Sequence, residues 1–94
     1  MATREEKLVH LERLAGELKH REFTAEVVAV AKPYLKVANA STPTLNERVR
    51  CEQAEDGTWV FWWPWHQPIG SVDDVEAVVG KITAVLRSVE GGQR

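Results

Sequence analysis

Cysteine is nearly absent: Cys51 is the single one in 94 residues. No internal disulfide can form, and a lone thiol suits a reducing, cytoplasmic setting. Long apolar runs are missing too, and nothing approaches the ~20 residues needed to span a bilayer. Met1 to Lys7 reads Met-Ala-Thr-Arg-Glu-Glu-Lys with no apolar stretch behind it, so no secretory signal is expected. Basic excess is lacking, since the formal net charge is −2 and the twelve Lys and Arg residues are scattered. A nucleic-acid binder usually carries a basic stripe, which argues against that partner. There is no glycine-rich phosphate loop and no Ser-His-Asp arrangement, and His10, His20 and His66 have no metal-ligand spacing. The expectation is therefore no catalytic residue, no metal and no cofactor.

What is present reads as one α+β domain over residues 1–94, with residues 90–94 a frayed tail. Hydrophobic residues make up 44% and charged residues 28%, ordinary globular usage. Thr3 and Glu6 have capping-box spacing. Leu8, Leu11, Leu14, Ala15 and Leu18 then recur at helical steps, predicting a helix over residues 3–20. Valine-rich Phe23 to Ala31, Tyr34 to Ala38, the alternating Glu47 to Gln53 and Thr58 to Trp63 predict four strands. Residues 66–70 read as a connector. Ser71 and Asp74 repeat the capping geometry before a second apolar stripe, Val72 to Val89, so a second helix is expected to end near Ser88. Gly80 within it suggests either close approach to the sheet or a tolerated exposed position. The order α-β-β-β-β-α with short links predicts a two-layer sandwich, a four-stranded antiparallel meander with both helices on one face.

Five of the seven aromatic residues fall in one window, Trp59-Val60-Phe61-Trp62-Trp63-Pro64-Trp65. Rings occur at both parities, so pairing register decides which of them face the core. An even loop around Asp56-Gly57 sets Val49, Cys51, Val60 and Trp62 on the core face. It leaves Trp59, Phe61 and Trp63 outside with Arg48, Arg50 and Glu52. A three- or five-residue loop reverses the partners, and is set aside as mixing arginine with core positions. Three such rings, each offering roughly 150–250 Å², make an exposed patch large enough to be functional. Its cover is either the chain's own arginines and connector, a second copy in a homodimer, or a different partner. The expected interface is thus Trp59, Phe61, Trp63, Arg48 and Arg50, serving a small protein-interaction module. The alternative is a small-molecule site where Tyr34, Trp65, His66 and Gln67 add contacts to a stacked ligand. Cys51, mid-strand on the core face, reads as a small hydrophobe rather than a nucleophile.

The segments Leu45 to Val49, Gly57 to Trp65 and Pro68 to Asp74 resemble a group of short actinobacterial proteins. In these a tryptophan-rich W-x-F-W-W-x-W segment precedes a P-I-x-x-x-D-D helix start. The resemblance implies a regulatory or accessory role and brings no catalytic residues with it.

Overall fold

The elements in chain order are α1 (Arg4–Lys19), β1 (Phe23–Val28), β2 (Tyr34–Asn39), β3 (Asn46–Gln53), β4 (Trp59–Trp62), β5 (Pro68–Ser71) and α2 (Val75–Gly92). They come from a computed structural model that describes the backbone of residues 4–92 and the side chains of residues 4–86. Thr3, half of the expected capping box, lies outside the described residues, as do residues 93–94 of the expected tail. The α2 helix continues to Gly92, beyond the expected end at Ser88.

The strands form a single antiparallel sheet in the order β1-β2-β3-β4-β5. An α+β fold with an antiparallel sheet is as expected, but the sheet has five strands and not four. The segment read as a connector contributes the extra strand. Proline and glycine demote Pro68-Ile69-Gly70-Ser71 as a strand, yet Pro68 stands first on an outer strand, where a missing donor costs nothing. Gly70 lets α2 close on β5, because a Cβ there would stand 3.0 Å from Val78 Cγ2. Gly80 has open space around it, so close helix-to-sheet approach belongs to Gly70 and not to Gly80.

The core gathers Leu11, Leu14 and Leu18 of α1, Val78, Ile82 and Leu86 of α2, and one face of the sheet. Period-two alternation puts Leu35, Val37, Val49, Cys51 and Phe61 on that face. Asp74, rather than Ser71, begins α2: its carbonyl accepts the Val78 N–H at 3.1 Å. Ser71 Oγ accepts the Asp73 N–H at 3.1 Å one step earlier. Val72 and Val79 are buried in the core.

Candidate functional site

The hairpins on either side of β4 share one loop geometry. In the β3–β4 loop, Glu55-Asp56-Gly57, the Gly57 N–H donates to Ala54 O at 2.9 Å and the Ala54 N–H to Thr58 O at 2.8 Å. In the β4–β5 loop, Pro64-Trp65-His66, the His66 N–H donates to Trp63 O at 3.0 Å and the Trp63 N–H to Gln67 O at 2.8 Å. Both are three-residue loops in which a tight turn is followed by a left-handed residue. Glycine fills that position in the first, with φ +88°. Histidine fills it in the second, with φ 66°.

The odd loop length reverses the expected register. Cys51 pairs with Phe61 and Arg50 with Trp62. Phe61 and Trp63 are therefore core residues, 1% and 6% exposed. Trp59 is half-buried beneath α1, its ring 5.2 Å from that of His10. An exposed Trp59-Phe61-Trp63 row does not exist. The arginines stay outside, because their face was set by β3 itself; only the β4 partners change sides. An odd loop does not mix arginine with the core, and the ground for setting it aside fails.

The face without helices carries a different row. Register aligns Val28, Tyr34, Arg50, Trp62 and Pro68 across all five strands. The Arg48 guanidinium lies 5.0 Å from the Tyr34 ring centroid. Trp62 stacks on His66, with centroids 5.2 Å apart and planes 20° apart, and its Nε1 donates to Glu52 O at 3.4 Å. Beside this pair lies a shallow open cleft of about 650 Å³, whose lining includes Lys32, Arg50, Glu55, Trp62 and His66. Trp65 and Gln67 go with the other side of the hairpin. The Trp65 ring stacks on Trp63 at 5.1 Å, and its Nε1 donates to Gln67 Oε1 at 2.8 Å. Of the expected site, then, Tyr34, Arg48, Arg50 and His66 share a surface, whereas Trp65 and Gln67 stand apart from it.

Electrostatics sharpens this surface. Lys36 stands directly opposite Arg48 on the neighbouring strand, and like charges so placed are destabilising. Glu26, opposite Lys36 on its other side, offsets part of that. The Glu52 carboxylate is held by Lys7 Nζ at 2.9 Å. A chain of net charge −2 thus sets Lys36, Arg48 and Arg50 around the half-buried rings of Tyr34 and Trp62. Trp62, Lys32 and Lys36 are the members that sequence reasoning missed. For Trp62 the one available signal was the parity of a single loop.

Cys51 is fully buried, and burial first, then the neighbouring Glu52, pushes its thiol pKa up to about 12. The native protein should resist thiol alkylation at pH 8 and become labelled in denaturant; rapid native labelling would contradict this burial. A folded pKa above the unfolded one means that this group's contribution to stability is complete below the ordinary thiol range, roughly 8–9. It is lost as pH rises from there towards the folded value. Among the described residues no cluster of His, Cys, Asp and Glu could hold a metal ion, and no helix is long and apolar enough to cross a membrane. No protein-family model, curated protein or solved structure matches the chain.

Proposed function

We propose that this protein is a small interaction module that binds an acidic segment of a partner protein on its uncovered sheet face. The observation that carries the reading is the strained His66 stacked on Trp62 beside Arg50. A left-handed non-glycine residue costs of order 1–3 kcal/mol and tends to persist where a site requires it. Glycine fills the same loop position one hairpin earlier, so the fold has no need of histidine there. Aromatic and arginine side chains are the residue types that dominate interface hot spots, and Lys32, Lys36, Arg48 and Arg50 outnumber Glu26, Glu52 and Glu55 here, which favours an acidic partner. The resemblance to actinobacterial proteins of regulatory or accessory type is consistent with such a role, in the cytoplasm.

His66→Gly tests this directly. It should leave stability unchanged or raise it by up to about 1 kcal/mol, since glycine's greater unfolded-state entropy and the loss of the ring stack offset much of the relieved strain. Titration of tryptophan fluorescence with glutamate-rich peptides carrying one aromatic residue should show salt-sensitive binding. That binding should weaken about tenfold or more in His66→Gly, Trp62→Ala and Arg50→Glu, since central anchors are each worth ~1–2 kcal/mol or more. Unchanged binding in all three variants, or none in the parent, would refute the proposal.

The cleft beside Trp62 supports a second reading, a planar polar small molecule stacked on the indole, with Arg50 and Lys32 meeting its acceptors and Glu52 and Glu55 its donors. Saturable fluorescence quenching by such a compound, competing with the peptides, would favour it.

A further inference from the structure

The two edges of the sheet are finished differently. β5 is short, begins with Pro68, and has its Ile69 carbonyl occupied by Lys81 Nζ at 2.8 Å. Such devices blunt a strand edge against further pairing. β1 is six residues long and has no proline, and its side-chain cap comes past its end, where Arg4 donates to the Ala29 and Val30 carbonyls at 2.8 and 2.9 Å. Its ladder phase is fixed by the Ala40 N–H donating to Glu22 O at 3.0 Å. With Phe23 opposite Asn39, Thr24, Glu26 and Val28 then bond to β2. The N–H and C=O groups of Phe23, Ala25 and Val27 are left pointing out of the sheet.

Beside this edge runs a groove of about 380 Å³ between α1 and β1, lined by Glu12, Ala15, Gly16 and Lys19 from the helix. These positions recur at three- and four-residue steps and so share one flank of α1. Val9 stands one such step earlier and is 62% exposed. A Cβ at Gly16 would meet nothing within 4 Å. The flank is also self-complementary: an antiparallel copy centred between Ala15 and Gly16 brings Glu12 against the partner's Lys19 and sets two small residues at the crossing.

We infer that β1 is a self-association edge, on which a second copy of the chain pairs its own β1 antiparallel to continue the sheet while the α1 flanks meet across the groove. The two-fold axis passes at Ala25. Phe23 then faces the partner's Val27, and all three outward-pointing residues are used, giving about six inter-chain hydrogen bonds. Thr24 faces the partner's Glu26 in this register, which separates the two glutamates. A shift of one pair towards Val27 would set them directly opposite. This inference is independent of the proposed binding face, which such a dimer leaves open on both copies.

Sedimentation velocity across a concentration series is the test. The chain of 10.6 kDa should sediment as a dimer at micromolar concentration. Ala25→Pro removes one outward donor, and Gly16→Arg fills the groove without touching the monomer core. Each should weaken association by about tenfold or more, as a steric or charge clash in an interface does. Gly16→Arg carries the test if the proline variant misfolds. Glu12→Lys should weaken association, and adding Lys19→Glu should restore it. A monomeric parent at high micromolar concentration overturns the inference, as does a dimer unaffected by both Gly16→Arg and Glu12→Lys.

Discussion

Phe61→Ala is expected to destabilise the protein by about 3–5 kcal/mol, whereas its neighbour Trp62→Ala should cost only ~1 kcal/mol. The larger loss falls on the smaller ring because of where each ring sits. Phe61 is 1% exposed, opposite Cys51 of the central strand β3 and within the core beneath the helices. Its removal leaves a cavity inside the buried core, whose packing relaxes only in part. Trp62 is half-buried on the opposite face, where truncation leaves a hollow that water can fill. What it forfeits is one long hydrogen bond to Glu52 O, at 3.4 Å, and the stack on His66. Urea unfolding of the two variants checks the order, and the reverse order would restore the register in which Trp62 is the core residue.

Asn39→Ala should be the most costly polar substitution, at roughly 2–3 kcal/mol, since it strands several hydrogen-bonding groups at once. Asn39 is the buried polar residue among the core strands. Its Nδ2 donates to the Leu86 carbonyl at 3.3 Å, tying β2 to α2. Its Oδ1 accepts the Ser41 N–H at 2.9 Å and the Thr42 N–H at 3.1 Å, shaping the β2–β3 loop. Asn39→Asp makes the informative companion. It keeps both acceptor contacts but sets a carboxylate oxygen against the Leu86 carbonyl, so it should lose the helix contact and add the cost of a buried charge while preserving the loop. Hydrogen exchange at Ser41 and Thr42 separates the cases: those amides should lose protection in Asn39→Ala and retain it in Asn39→Asp. Equal exchange in both variants would show that the side-chain oxygen does not organise the loop.

Legibility along the chain followed how local each cause was. Leu11, Leu14 and Leu18 announce their helix and its buried face together, because helical periodicity is written into consecutive turns. Val49 and Cys51 alternate with Arg48, Arg50 and Glu52, so β3 declares both its faces without reference to any other strand. Ile69 offered no such pattern. A four-residue strand with one core side chain, flanked by proline and glycine, is recognised only by its pairing with β4. Tyr34, Arg48, Arg50 and His66 were legible as site candidates by residue type, but their assembly with Trp62 was not. Tyr34 and Trp62 flank Arg50 from different strands, and their nearness is a product of register.

The sequence by itself determined two helices, an antiparallel sheet with one apolar face, and an outer face bearing arginines. The helices and the two strand faces follow from periodicity within a single element, enforced by the cost of burying charge, and the antiparallel pairing from the short links between strands. Only the tertiary structure decided which aromatic rings belong to which face. Trp59, Phe61 and Trp63 differ in parity from Val60 and Trp62, and both sets are apolar enough to fill a core. The choice rested on whether the Glu55-Asp56-Gly57 loop holds an odd or an even number of residues. With Gly57 left-handed at the third position, the loop is odd and the three rings turn inward. Trp62 is left on the open face, where His66 meets it from a loop whose geometry otherwise favours glycine.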